Sequence, residues 1–339
     1  MLSRLISLIF HRTKAPARED DFDVDAFIAS TSPLTWEDVS RKLAALSRAR
    51  PEDVIHVGPE LCAPLFRQYT DARPRAMALM RQHPRLAWLL IFHSNGRVRE
   101  PALRALTEPP ATASEFIAIT LRLNDWVSVV RASAREAASR LFPLTSPDVV
   151  AAAAPYLLAR RFMWTRWDDE SGVLDDALAR PDVAEHLSGS IGELRTGPGG
   201  SILRMAARFP SLDPYLPDLV RHARHPSVRA VALDMLVSGQ ARWTTGFDWA
   251  WVDKTYGIRK RVAVTATRPL SRTHDVETLI RDALTDRFAA VRKVAADALY
   301  EKRGTIGDAL MLARSMLGDP SRAVRERAEF LVRRLSEAH

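Results

Sequence analysis

The stretch DRFAAVRKVAADALY, residues 286–300, decides the fold. Asp286 reads as a helix-capping residue, because its carboxylate can accept the orphan N–H groups at a helix start. Phe288, Val291, Val294, Ala295, Ala298 and Leu299 then recur at helical spacing and form one apolar stripe. The stretch DPSRAVRERAEFLVRRL, residues 319–335, repeats the design, with Pro320 at the expected first helical position. Val324, Ala328, Leu331, Val332 and Leu335 form its inward face. Between the two, Ile306 to Leu317 reads as another apolar-faced helix, so one period holds two helices. Two helices of ~12 residues cannot bury both faces alone, so neighbouring units must stack.

Working outward, the same signature recurs: Asp, four residues, a β-branched apolar residue, then Arg. It is met at Asp125/Val130/Arg131, Asp253/Ile258/Arg259, Asp286/Val291/Arg292 and Asp319/Val324/Arg325. The last three Arg are 33 residues apart, and the 128 residues from Asp125 to Asp253 fit four more periods of similar length. These positions resemble HEAT repeats, particularly the short bacterial kind. The resemblance runs roughly from Pro74 to Leu335. It implies an all-α fold, an α-solenoid of stacked antiparallel helix pairs over 34–339, strongest over 253–335. It also implies that each Arg pairs with Asp groups of its own or the adjacent unit. Asp125, Arg131, Asp253, Arg259, Asp286, Arg292, Asp319 and Arg325 are thereby expected to form a structural ladder. Val98-Arg99 and Val228-Arg229 match without the Asp, with His93 and Ala223 in its place, which leaves their ladder contacts open. Thr165-Arg166 and Leu203-Arg204 are candidates for two weaker repeats.

The bulk composition agrees with a helical chain. Ala, Leu and Arg dominate, all strong helix formers. Only 14 of 339 residues are Gly, and no run of alternating Val, Ile and Thr announces a strand. The net charge is +8, and 43 of the 49 basic residues are Arg, since Lys occurs six times. Such a balance suits acidic protein surfaces, nucleic acid or anionic lipid. Cys62 is the single cysteine, so neither an internal disulfide nor a cysteine-based zinc site is available, and a reducing, cytoplasmic setting is expected. No segment reaches the ~18 apolar residues of a membrane span. Residues 1–33 read as a separate flexible segment. Residues 1–14 carry Leu2, Leu5, Ile6 and Ile9 on one helical face with Arg4, Arg12 and Lys14, which fits contact with a membrane or partner. The acidic run Glu19 to Asp25 follows as a linker.

Chemistry-bearing patterns are sparse. Gly197-Pro198-Gly199-Gly200 lacks the Lys and Ser/Thr of a phosphate loop and reads as a helix–helix connection. His222 and His225 have metal-compatible spacing but no third ligand nearby. No catalytic set, metal site, cofactor or small-molecule substrate is expected. Two aromatic segments stand out instead, RFMWTRWDDE at 161–170 and RWTTGFDWAW at 242–251. Trp126, Trp164, Arg166, Trp167, Trp243, Trp249 and Trp251 are the candidate contact residues, since Trp and Arg combine area with a polar handle. The leading expectation is a non-catalytic scaffold that binds a partner protein through its concave face. The alternative is a nucleic-acid-binding protein. Some DNA glycosylases resemble this chain in architecture, and that resemblance implies Asp125-Trp126, or Trp164 and Trp167 with Asp168 or Asp169, as a nucleotide-gripping set. Convergence of Arg104, Arg135, Arg140, Lys260, Lys293 and Arg333 on one face would favour nucleic acid. An exposed Trp patch with scattered cations would favour protein.

Overall fold

A computed structural model describes residues 35–63, 72–166 and 170–337. The expectations for 1–33, for Trp167 and for Asp168 and Asp169 lie outside them. Among the described residues the fold is helical with one small sheet. The helices are α1 (Trp36–Arg48), α2 (Val54–Cys62), α3 (Ala72–Gln82), α4 (Ala87–Leu90), α5 (Gly96–Ala105) and α6 (Ala113–Leu123). Next come α7 (Ser128–Leu141), α8 (Pro147–Arg160), α9 (Gly172–Ala179), α10 (Pro181–Gly192), α11 (Gly199–Ala206), α12 (Leu216–His222) and α13 (Pro226–Ser238). A hairpin of β1 (Gln240–Asp253) and β2 (Ile258–Pro269) follows, and then α14 (Glu277–Leu284), α15 (Ala289–Glu301), α16 (Ala309–Ser315) and α17 (Arg322–Ser336). No helix among the described residues is long and apolar enough to cross a membrane.

Apolar stripes account for the packing. α3 meets α5, α5 meets α7, and α11, α13, α15 and α17 meet in succession. α6, α8 and α10 form a second such series. Small residues let the helices approach: Ala134, Ala137 and Ala138 of α7 and Ala295 and Ala298 of α15 are all buried beside Val130, Val291 and Leu299.

The Arg–Asp ladder has a definite form. Each Arg donates to the backbone carbonyl six residues before it and to the carboxylate that precedes the next helix of its series. Arg292 reaches Asp286 O at 2.7 Å and both oxygens of Asp319 at 2.6 and 2.8 Å. Arg99 reaches His93 O at 2.8 Å and both oxygens of Asp125 at 2.9 and 2.8 Å. Arg131 bonds Asp125 O at 2.9 Å and Glu170 at 3.3 Å. Arg325, in the last of these helices, bonds Asp319 O at 2.6 Å. The contact to the Arg's own unit uses a carbonyl, which any residue supplies, so Arg99 and Arg229 complete it without an Asp. The Asp has a second task in its own loop, accepting the N–H two residues on, as Asp286 does from Phe288 and Asp319 from Ser321. At His93 the imidazole Nδ1 takes that N–H from Asn95.

Four expectations are corrected. The fold is not purely α: residues 240–269 form an antiparallel hairpin. Asp253 and Arg259 lie in that hairpin and take no part in the ladder. Asp253 accepts the N–H groups of Thr255 and Tyr256 in the turn, and Arg259 sits on β2, so their repeat-like spacing is a coincidence. Arg229 occupies the rung instead, bonding Ala223 O at 2.7 Å and Asp286 at 2.7 and 2.8 Å. Its carboxylate lies 57 residues ahead rather than the 27 of Arg292, and the hairpin supplies the intervening thirty. Asp286 and Pro320 precede their helices rather than start them; Phe288 and Ser321 hold the cap positions. Thr165-Arg166 lies outside any helix, whereas Leu203-Arg204 lies within α11.

The ladder makes the fold acid-sensitive. Hydrogen bonds from Arg292 hold the Asp319 carboxyl below the usual carboxylate range, against the opposing effect of burial. Burial pushes Asp286 upward, but the Arg229 and Phe288 hydrogen bonds outweigh it and the net shift is down. A carboxyl whose folded pKa is depressed contributes stability that is present above its unfolded value, about 3.9, and lost as pH falls through the folded value. The urea midpoint should therefore drop between pH 5 and pH 3. Asp286→Asn combined with Asp319→Asn should flatten that drop, and an unchanged slope would contradict the assignment.

Candidate functional site

The hairpin presents a surface of a different character from the helical body. Its base is anchored. Ala241 is fully buried, Trp243 is half-buried against the core, and Arg268 donates to Asp213 at 2.9 and 2.5 Å and to Ala207 O at 2.7 Å. Asp213 is itself fully buried and also accepts the Ser271 N–H at 2.7 Å. Burial pushes its carboxyl upward, but the Arg268 and Ser271 hydrogen bonds override this and hold it below the ordinary value.

Beyond the base, side chains alternate between the two faces. Trp249 pairs across the strands with Arg261, and Trp251 with Arg259, so these four share one face with Phe247. Trp249 is 62% exposed, Trp251 44% and Phe247 45%, while Tyr256 at the turn is 79% exposed. The Arg259 guanidinium lies 3.7 Å from the Trp251 ring centre, and that of Arg261 lies 4.2 Å from Phe247. Cations held over rings in this way are stabilised by the ring quadrupole. Arg242, Lys254, Arg259, Lys260 and Arg261 make no ion pair with any described residue within 4 Å. In the body, by contrast, Arg99, Arg161, Arg229, Arg281 and Arg292 are each committed to carboxylates.

The two aromatic segments of the sequence meet here. Phe162, in the short 3-10 turn after α8, stacks edge-on against Phe247 with ring centres 5.6 Å apart. Met163 beside it is 64% exposed. The segment continues toward the loop before α7, where the Arg166 N–H donates to Asn124 at 2.9 Å. Trp126 in that loop is 71% exposed, with the Arg99 guanidinium 5.7 Å from its ring. Of the candidates, then, Trp126, Arg166, Trp249 and Trp251 are exposed, whereas Trp164 and Trp243 pack partly into the core. Phe162, Phe247, Tyr256 and Arg261 belong to the surface and were missed. Arg259, expected in the ladder, stands over Trp251 on this face instead. The alternation Val262-Ala263-Val264-Thr265 beside the turn residue Gly257 was the available signal.

The other chemistry-bearing residues have structural duties. Asp125 is buried, and its two oxygens accept four bonds, from Arg99 twice, Arg122 and the Val127 N–H, which fills its capacity as an acceptor. His225 Nδ1 caps α13 by accepting the Ser227 N–H. Gly199 packs directly against Val228, and the Gly200 N–H donates to the Ser227 hydroxyl, so the glycine-rich segment serves helix contact. Cys62 is buried, and burial pushes its thiol up to about 12, far from a reactive thiolate. No three of His, Cys, Asp and Glu converge among the described residues. A shallow groove of ≈ 210 Å³ runs between α7 and α9 past Phe142, Val173 and Ala177. It is smaller than the ~300–1,000 Å³ of most ligand sites.

No family model matches the chain. No curated protein matches it either. Among solved structures, a crystal structure of an engineered protein aligns with 86% of this chain and 76% of its own at 15% identity, with a TM-score of 0.25, too low to define fold or function.

Proposed function

We propose that the chain is a HEAT-like α-solenoid acting as a non-catalytic scaffold in a reducing, cytoplasmic setting. It binds a partner protein through the hairpin face and the adjoining 162–166 segment. One observation carries this reading. Exposed Trp249 and Trp251, with Arg259 and Arg261 beside them, stand on an arm inserted between Arg229 and Asp286, the two partners of one ladder rung, which still meet. Trp and Arg are the residue types that dominate binding energy at interfaces. A cluster of exposed aromatic rings on one arm is the kind of surface a partner covers.

Nucleic acid is the second class, and four of the six cations named for it are engaged in the body or stand apart. Arg104 pairs with Glu100 and Glu136, Arg140 donates to Leu106 O, and Lys293 pairs with Asp297, while Lys260 stands apart on the hairpin. The saturated bonding of Asp125 also removes it as a catalytic carboxylate.

The test is quantitative capture by the full chain, with bound proteins identified, purified and re-titrated. Truncating an interface hot spot costs roughly 2 kcal/mol, so Trp249→Ala or Trp251→Ala should weaken a true partner about 30-fold. The thermal midpoint should stay within a few degrees, because both rings are exposed. A partner held with full affinity by the double variant would remove the hairpin from the site. Salt-dependent binding of duplex or single-stranded DNA in a fluorescence anisotropy series would move the reading to nucleic acid.

A further inference from the structure

Above the anchored base, no described residue hydrogen-bonds the outer backbone edge of β2 from Arg259 to Thr267. The sheet has only two strands, and α11 and α13 pack against β1. Both irregularities of the pairing fall in β1, where Thr245 and Val252 are extra residues without partners, so β1 is kinked while β2 runs unbroken from Ile258 to Pro269. A regular, uncovered edge is a template for another strand. Its charges decide which strand fits. Arg259 and Arg261 project to the tryptophan face and Lys260 to the other, and none is neutralised by a described residue. A second copy of this edge would set cation against cation, which is unfavourable for directly opposed pairs. An acidic strand reverses the sign. Strands lie ~4.8 Å apart, so carboxylates at alternate positions would fall beside Arg259 and Arg261. Those guanidinium groups are already held over Trp251 and Phe247, which leaves their N–H edges free and lowers the cost of ordering them.

We propose that the partner docks by adding an extended acidic segment to the β2 edge, its alternate carboxylates paired with Arg259 and Arg261. The proposal rests on the partner-protein reading above and names the chemistry of the segment bound. Recognition is divided in the usual way for strand addition: backbone hydrogen bonds supply affinity, and the alternating side chains supply selection.

The experiment is fluorescence anisotropy on the full chain with a labelled decapeptide of alternating Asp and Val. Three companions are needed: its Asn counterpart, and two Asp peptides N-methylated on the odd or on the even backbone nitrogens. Expected is saturable binding of the Asp peptide, at least tenfold weaker with the Asn peptide and with Arg259→Glu/Arg261→Glu. One N-methylated peptide, and only one, should lose at least tenfold, because an added strand uses a single edge. Arg259→Gln/Arg261→Gln gives a milder variant should charge reversal disturb the hairpin. Equal binding of both N-methylated peptides would overturn strand addition. Failure of the Asp peptide alongside partner capture that still depends on Trp249 and Trp251 would overturn this inference and leave the scaffold reading standing. Tighter, Arg259-dependent binding of single-stranded DNA, or a dimer in sedimentation that the same substitutions dissolve, would overturn it in favour of those occupants.

Discussion

Asp125→Ala is expected to lower stability by roughly 3–5 kcal/mol, the range found when one partner of a buried ion pair is removed. The side chains of Arg99 and Asp125 are 3% and 0% exposed, and the substitution leaves the buried guanidinium with no carboxylate and only the His93 and Ser94 carbonyls. It also frees the Arg122 guanidinium and the Val127 N–H. The readout is a melting midpoint lower by order 10 °C. Asp319→Ala, at a rung whose side chains are 11% and 8% exposed, should cost clearly less, because water can reach the Arg292 it leaves behind. Removing both partners together, as Arg99→Met with Asp125→Leu, should cost less than the two single losses added, since no charge is then left buried. Midpoints unchanged from the full chain in both variants would mean that the ladder is incidental to stability, and equal losses would mean that burial does not set the cost of a rung.

Arg268→Ala carries the second large effect, on stability and binding together. It leaves the fully buried Asp213 with only the hydrogen bonds of Ser271, and it deprives the Ala207 and Arg208 carbonyls of their donor. A loss of roughly 3–5 kcal/mol follows from the stranded carboxylate. Because this bridge ties the hairpin base to the segment before α12, the loosening should be local. Amide exchange should accelerate first in 240–269, and partner affinity should fall although no contact residue has changed. Arg268→Lys should rescue little, since an ammonium cannot bridge two carboxylate oxygens and two carbonyls as a planar fork does. Full affinity in Arg268→Ala would separate the anchor from the site.

The recurring Asp and Arg positions were legible because they are written locally, while their pairing was implied by the resemblance to HEAT repeats. An Arg placed six residues after a loop carbonyl finds that carbonyl wherever the loop enters a helix, so Asp286 to Arg325 could be read directly. The partner of Arg229 could not, because thirty residues of another structure intervene. The hairpin escaped notice for a related reason. Trp243, Trp249 and Trp251 are all odd-numbered and would share one face of a regular strand. The extra residue Thr245 turns the alternation over, so Trp243 faces the core while Trp249 and Trp251 face solvent. With the period broken twice, residues 240–253 show neither a helical nor a strand pattern, and the strand-like run of β2 from Val262 to Thr265 is short. The coincidental spacing of Asp253 and Arg259 then gave the segment the look of a repeat. The aromatic segments were visible as composition, but the contact between Phe162 and Phe247 joins residues far apart in the chain and only the fold reveals it.

The most direct test of the hairpin as the binding arm of a self-sufficient helical array is to shorten it above its anchored base. Thr244 and Thr265 face each other across the strands, so an Asn-Gly turn can join them in place of residues 245–264. Ala241, Trp243 and Arg268 stay in place. Expected is a protein whose helical signal and melting midpoint match the full chain within a few degrees, and whose partner binding is gone. Retained binding, or collapse of the helical melt on losing a solvent-exposed arm, would contradict it.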